Sequence, residues 1–138
     1  MEKTRVVGQT KDAGFQSGVR KTFAVPVETA WKFLFSGKGL STWLGKISLE
    51  NFEVGKPYKT EEEIEGKVNV LKSNSHIRLT WKPKHWTNIS ALQIRVIPSK
   101  EKTTISFHQD KLLDSNQRNE MKKYWDEVIG KIEIELFK

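Results

Sequence analysis

Six stretches of the chain alternate between apolar and polar residues, the pattern that a half-buried β-strand produces. They are residues 19–25, 58–64, 67–71, 76–82, 92–96 and 103–107. In the clearest of them, Ile77, Leu79 and Trp81 alternate with polar side chains. Gly66 is the predicted bulge or tight turn between the second and third stretches. One apolar face per strand predicts an antiparallel sheet that is covered on one side only.

Two short helices are predicted between the first and second strands. The first begins at Pro26, whose missing N–H costs nothing at a helix start, and it ends before Gly37. The second carries apolar residues at positions 40, 43 and 44, and it ends at Gly45.

Residues 116–137 form a predicted long amphipathic helix. Its apolar stripe consists of Met121, Trp125, Val128, Ile132 and Leu136, with Tyr124 beside it. A helix of twenty-odd residues is about 30 Å long, enough to cross a sheet. The pattern therefore predicts an α+β protein whose C-terminal helix covers the apolar face of the sheet.

The chain is expected to form one domain, residues 19–138, preceded by a partly flexible N-terminal arm, residues 1–18. Within the arm, the sequence predicts a short strand around Val6–Val7 and a turn at residues 12–14.

Composition limits the functional classes. The net charge is +7, but the lysines are spread along the chain, so a nucleic-acid partner is not favoured. The chain has no cysteine, which excludes disulfides and cysteine nucleophiles and fits a cytoplasmic location. No apolar run approaches the length of a membrane span, and the first residues lack the apolar core of a secretory signal.

The segment SGKGLSTWLG, residues 36–45, has the glycine and lysine content of a phosphate-binding loop. A P-loop requires the spacing GxxxxGK[ST] after a buried strand, whereas this segment has GKGLST after a helix. A dinucleotide GxGxxG motif fails as well, because Thr42 occupies the place of the third glycine. The segment is therefore predicted to be a connector between two helices.

Residues 59–67, KTEEEIEGK, are an acidic island in a basic protein. On a strand, Glu61 and Glu63 would lie about 7 Å apart, a separation that suits acid–base chemistry or a hard cation. No histidine or aspartate is close in sequence, so a solvated hairpin face is the preferred interpretation. Glu62 shares a strand face with Ile64, and we expect it to reach towards the interior.

The three histidines, His76, His85 and His108, lack the spacing of metal ligands. Neither a metal site nor a cofactor is predicted, and no catalytic residue is identified. The apolar residues of the sheet and the long helix have two interpretations: a dry, packed core, or the walls of an apolar gap that binds a small ligand.

Several segments, in this order and spacing, resemble a known family. AVPVETAWKFLFSGKGLSTWLG, EGKVNVLKSNSHIRLTW, TTISFHQDKLL and YWDEVIGKIEIEL together extend over most of residues 19–137. They are similar to the SRPBCC or START-like superfamily, in its branch related to the activator of the heat-shock chaperone ATPase. The resemblance implies a helix-grip fold, in which a curved antiparallel sheet wraps around the C-terminal helix.

The resemblance also implies a cavity between sheet and helix that takes a small hydrophobic or amphipathic molecule. The candidate wall residues are Phe23, Trp31, Trp43, Leu79, Trp81, Leu92, Ile94, Ile105, Phe107, Met121, Tyr124, Trp125 and Val128. Tyr124, Thr103 and Glu62 are the polar groups expected to orient a ligand.

Two alternatives follow from the same resemblance. One is a protein-binding module that contacts a chaperone; the chaperone activators carry a separate N-terminal domain, whereas only 18 residues precede the first clear strand here, which counts against ATPase activation. The other is a cyclase-like or hydrolase-like enzyme, for which no catalytic residue can be transferred.

Overall fold

The computed structural model describes residues 9–10, 14–47 and 52–138. The described residues form seven strands and three helices. In chain order they are β1 (Gln9–Thr10), β2 (Gly14–Phe23), α1 (Val27–Leu34), α2 (Gly37–Trp43), β3 (Pro57–Lys59), β4 (Ile64–Lys72), β5 (His76–Pro83), β6 (Ser90–Ser99), β7 (Lys102–Leu112) and α3 (Ser115–Leu136).

The strands form a single antiparallel sheet in the order β1-β2-β7-β6-β5-β4-β3. The first long strand, β2, therefore pairs with the last strand, β7, while β3 to β7 follow each other as hairpins. Buried and accessible residues alternate along β5, β6 and β7. The predicted sheet with one covered face is confirmed, and the fold is the expected α+β helix-grip fold.

The two short helices pack closely against each other, and α2 has a well-defined N-cap. Ser36 is the N-cap of α2, and its hydroxyl accepts a hydrogen bond from the Gly39 N–H at 3.0 Å. A Cβ atom on Gly39 would overlap the carbonyl of Phe33, so only glycine allows α1 and α2 to approach this closely. Gly37, predicted to terminate the first helix, is instead the first residue of α2.

The C-terminal helix α3 confirms the predicted amphipathic stripe. Asp114 caps its start, with the carboxylate accepting from the Gln117 N–H at 2.9 Å. The buried residues of α3 are Gln117, Met121, Trp125, Val128, Ile129 and Ile132, while the charged residues of the opposite side are exposed. The helix packs mainly against β2 and also meets β7 and α2.

The predicted turn at Gly66 was wrong. The turn lies at residues 60–63, where Glu63 takes a positive φ of 65°, and Gly66 is inside β4, paired with Tyr58. The glycine is needed there because the backbone of Thr80 leaves no room for a Cβ atom.

The N-terminal predictions differ in their outcome. The strand expected from Val19 begins five residues earlier, at Gly14. The predicted strand at Val6–Val7 and most of the turn at 12–14 lie outside the described residues. Within the described part of the chain, no helix is both long enough and apolar enough to span a bilayer.

Candidate functional site

An aromatic cluster fills the space between β5 and α3. Trp81 of β5 lies with its ring centroid 5.9 Å from that of Trp125 and 6.1 Å from that of Tyr124, both on α3. Trp86, in the loop after β5, packs edge-on against Trp81 at 5.4 Å. Phe107 of β7 stacks on Trp125 at 5.0 Å. Aromatic pairs at these distances add to the stabilisation that their buried area provides.

A chain of buried hydrogen bonds holds one side of this aromatic cluster. The indole N–H of Trp125 donates to the side-chain oxygen of Gln109 at 2.7 Å, and the amide nitrogen of Gln109 donates to the Ser90 hydroxyl at 2.8 Å. Ser90 in turn donates to the carbonyl oxygen of Trp81 at 2.6 Å. Because Gln109 and Ser90 are fully buried, these bonds fix α3 to β7, β6 and β5 with defined geometry.

The indole N–H of Trp81 differs from that of Trp125. Trp81 is 3% exposed, and its Nε1 atom has no hydrogen-bond partner among the described residues. A buried donor without an acceptor is unfavourable by about 1–3 kcal/mol. The aromatic cluster therefore contains one polar group that a bound molecule could satisfy.

Tyr124 borders the aromatic cluster and is only half-buried. Burial raises the pKa of its phenol above the ordinary value, and the negative charge of Glu62 raises that pKa further. The carboxylate of Glu62 accepts a hydrogen bond from the Lys46 N–H at 2.9 Å, and this bond is the main reason that the pKa of Glu62 is lowered. A neutral phenol and an ionised carboxylate thus lie near each other at the edge of the aromatic cluster.

A sequence model of a protein family matches most of this chain. The model of the activator of Hsp90 ATPase homolog 1-like proteins matches residues 24–136. The chain belongs to this family. The resemblance inferred from the sequence segments is thereby confirmed.

Solved structures share the fold at low sequence identity. DynU16, a protein in the dynemicin biosynthetic locus, has a TM-score of 0.80 at 13% identity, covering 89% of this chain and 47% of its own. An HSP90 activator from Plasmodium falciparum has a TM-score of 0.62 at 16% identity, covering 72% of this chain and 75% of its own. The Aha1 dimer from Colwellia psychrerythraea has a TM-score of 0.69 at 14% identity, covering 88% and 95%.

The chain thus spans about half the length of DynU16. At these identities the likeness shows the fold alone. No curated protein sequence matches the chain.

Most of the residues that the sequence predicted to line a cavity lie in the interior of the protein. The buried ones, 0–3% exposed, are Phe23, Trp43, Leu79, Trp81, Leu92, Ile94, Thr103, Ile105, Phe107, Met121, Trp125 and Val128. All of them except Thr103 belong to one continuous hydrophobic core. Trp31 and Tyr124 are half-buried. The ring of Trp31 packs on that of Phe35, the residue that follows α1, with the two centroids 4.5 Å apart.

Glu62 does not reach into the interior, contrary to the expectation from a strand. It lies in the turn at residues 60–63, exposed, because the chain reverses there instead of continuing β3. Its two neighbours form surface ion pairs, Glu61 with Lys46 at 3.7 Å and Glu63 with Lys84 at 3.2 Å. Within the described residues, no group of three or more acidic or histidine side chains is placed to hold a metal ion.

Besides Trp125 and Glu62, two further polar groups of the predicted set are bonded within the protein. The Thr103 hydroxyl donates to the carbonyl of Val25 at 2.8 Å, and the indole of Trp43 donates to the carbonyl of Leu34 at 2.8 Å. In the predicted set, the buried polar atom without a partner among the described residues is the indole Nε1 of Trp81, and the half-buried Tyr124 lies beside it.

Polar groups of residues 36–45 bond within the protein. The Ser36 hydroxyl and the Gly39 N–H bond to each other, and Lys38 forms an ion pair with Glu135 of α3 at 2.7 Å. The segment predicted as a connector is instead mostly helical, because residues 37–43 form α2 itself, and the Lys38–Glu135 pair links α2 to α3.

The roles of Trp86 and Gln109 are not predicted from the sequence. Trp86 follows a lysine-rich loop segment, and nothing in that segment predicts that its ring is 5% exposed. Gln109 had a signal: it continues the alternation of Thr103, Ile105 and Phe107, which places it on the inner face of β7.

Proposed function

We propose that this protein binds a small amphipathic molecule between the sheet and α3. The observation that carries the proposal is the buried indole N–H of Trp81, which has no acceptor among the described residues although it is surrounded by aromatic rings. A ligand with an apolar body and one hydrogen-bond acceptor would satisfy this donor. Burial of its apolar surface would contribute about 25 cal/mol per Å².

Tyr124 is the proposed cover of the site. Its ring lies against both Trp81 and Trp125, yet it is half-buried, unlike the fully packed residues around it. Rotation of a half-buried side chain displaces fewer contacts than rotation of a core residue. In this proposal the Tyr124 ring turns outwards and the ligand takes its place against Trp81.

The geometry favours binding over acid–base catalysis. The buried polar residues in the described part of the chain carry hydroxyls and amides: Ser17, Thr60, Ser90, Thr103, Gln109 and Gln117. General acid–base catalysis requires a group that exchanges a proton near the working pH. Ligand binding needs only space for the apolar body of the ligand and a free donor, which is the Trp81 N–H here.

A matched pair of ligands tests the proposal. 2-Acetylnaphthalene and 2-ethylnaphthalene have nearly the same shape, but only the ketone has a hydrogen-bond acceptor. We expect the ketone to bind about tenfold more tightly to the parent chain, as measured by tryptophan fluorescence, because it satisfies the Trp81 N–H. In Trp81→Phe the two ligands should bind equally. Equal affinities for the parent chain, or no saturable binding of either, would contradict the proposal.

Contact with an Hsp90-type chaperone is a second proposed function. It is supported by the family match over residues 24–136 and by the net charge of +7, which favours an acidic partner surface. Co-elution with the purified chaperone and a changed ATPase rate are the expected results. An unchanged rate together with separate elution would remove this function.

A further inference from the structure

A depression of about 240 Å³, lined by both polar and apolar residues, lies on the outer face of the sheet across β4, β5, β6 and β7. The register places Thr80, Ala91 and Asp110 side by side on β5, β6 and β7. Ala91 has the shortest side chain of this row, so space is left between Thr80 and Asp110. The α3 side of the sheet is its opposite face, so this depression is separate from the proposed amphipathic site.

A second row of side chains forms the other wall. Arg78, Gln93 and His108 are cross-strand neighbours on the same outer face, two residues away from the first row along each strand. Residues two apart on a strand lie about 7 Å apart, so the two rows enclose a space of small-molecule width.

The charges of the depression are arranged in two groups. At one side, the Oδ1 atom of Asp110 is buried and has no hydrogen-bond partner among the described residues. At the other side, Arg78 makes no ion pair with any described carboxylate. Lys111, which follows Asp110 on β7, also lines the depression and adds a second cation. A buried carboxylate oxygen without a donor is unfavourable until a donor reaches it.

We propose that this depression binds a small zwitterion, with its cationic group on Asp110 and its carboxylate on Arg78. Gln93, between the two charged residues, offers an amide to the middle of the molecule. The volume lies below the usual range of about 300–1,000 Å³ for drug-sized ligands, so the ligand is of amino-acid size.

Three probes of equal chain length separate the contributions of the two charges. They are γ-aminobutyrate, with both charges, butyrate, with the negative charge only, and n-butylammonium, with the positive charge only. In amide NMR titrations of the full chain up to about 20 mM, γ-aminobutyrate should shift the resonances of Ala91, Gln93 and Asp110 saturably. Each single-charge probe should bind about tenfold more weakly, because it lacks one charge-assisted hydrogen bond.

The variants test the two assigned contacts. Asp110→Asn and Arg78→Gln should each weaken γ-aminobutyrate binding about tenfold. Arg95→Gln is the matched control, since Arg95 lies on the same face of β6 outside the depression, and it should leave the affinity unchanged. If Asp110→Asn does not fold, Ala91→Leu still blocks the space and should abolish binding.

Three outcomes would overturn the assignment. They are equal shifts from all three probes, an unchanged affinity in Asp110→Asn, and a lack of saturation across the titration. Trp81→Phe, which tests the amphipathic site, should not affect the γ-aminobutyrate titrations. The two proposals are therefore tested independently of each other.

Discussion

Trp81 and Trp125 face each other across the interior with ring centroids 5.9 Å apart, but among the described residues only Trp125 has an acceptor for its indole N–H. The acceptor is the side-chain oxygen of Gln109 at 2.7 Å. Two tryptophans of nearly equal burial therefore differ in one hydrogen bond. This difference separates the residue that holds the fold together from the residue that we assign to a ligand.

Replacing each of the two tryptophans by phenylalanine should reveal the hydrogen bond. Both changes remove the same volume, but Trp125→Phe also leaves the oxygen of Gln109 without its donor. We expect Trp125→Phe to lower the free energy of unfolding by about 1–3 kcal/mol more than Trp81→Phe does. Urea denaturation measures both values. Equal losses would mean that the Trp125–Gln109 bond contributes nothing net.

Gln109→Leu should destabilise the protein by about 1–3 kcal/mol, because it leaves the Trp125 N–H without an acceptor and removes a donor from Ser90. Gln93→Leu, on the outer face of the neighbouring strand, is the control and should change stability by about 0.5 kcal/mol or less. Chemical denaturation of the two variants checks the comparison. If Gln109→Leu is as stable as Gln93→Leu, the buried chain of hydrogen bonds has no role in stability.

Gly39→Ala and Gly37→Ala should have effects of opposite sign. A methyl group on Gly39 would overlap the Phe33 carbonyl, so we expect a loss of about 1–3 kcal/mol. Gly37 has open space around its Cβ position, and alanine there should stabilise α2 by about 0.5 kcal/mol. Thermal unfolding distinguishes the two. A stabilised Gly39→Ala would contradict the close approach of α1 and α2.

The two tyrosines should both titrate above their ordinary pKa. Burial raises the pKa of Tyr58, whose phenol donates to the Thr80 carbonyl at 2.6 Å, and burial together with Glu62 raises the pKa of Tyr124. A raised folded-state pKa stabilises the protein below the unfolded pKa of about 10, and this stability is lost as the pH rises towards the folded value.

Tyrosinate absorbance in Tyr58→Phe and Tyr124→Phe resolves the two titrations. Glu62→Gln removes a negative charge and should lower the pKa of Tyr124 while leaving that of Tyr58 unchanged. An unchanged Tyr124 titration in Glu62→Gln would show that the carboxylate is not close to the phenol.

The periodicities of the sequence were sufficient to predict an α+β protein with a long helix over an antiparallel sheet, and the family resemblance added the helix-grip arrangement. The apolar stripe of α3 and the alternation along β5 to β7 each follow from repeated spacing, which survives small errors in element ends. Gly66 was misassigned because glycine has two uses: it permits turns, and it permits close backbone approach. The second use depends on Thr80, which is distant in sequence and becomes a neighbour only through strand pairing.

The candidate site was harder to predict than the fold. The pattern identified which residues point inwards, Trp81 and Trp125 among them, but pairing of their polar atoms depends on atomic geometry. The pairing of Trp125 with Gln109 of β7 has no sequence signal, although the inward position of Gln109 does. The packing of the loop residue Trp86 against Trp81 has no sequence signal either. The outer depression likewise arises only when three strands are aligned at Ala91.

The indole N–H resonance of Trp81 provides the most direct measurement of the central proposal. Because both naphthalenes alter ring currents near the two indoles, the hydrogen bond is read from the difference between the ligands in a ¹⁵N-labelled protein assigned with Trp81→Phe. The Trp81 resonance should lie further downfield in the complex with 2-acetylnaphthalene than in the complex with 2-ethylnaphthalene, while the Trp125 resonance should have nearly the same position in both. If the Trp81 resonance is the same in the two complexes, or if the difference appears at Trp125 instead, Trp81 does not bind the ligand's acceptor and the proposed site is wrong.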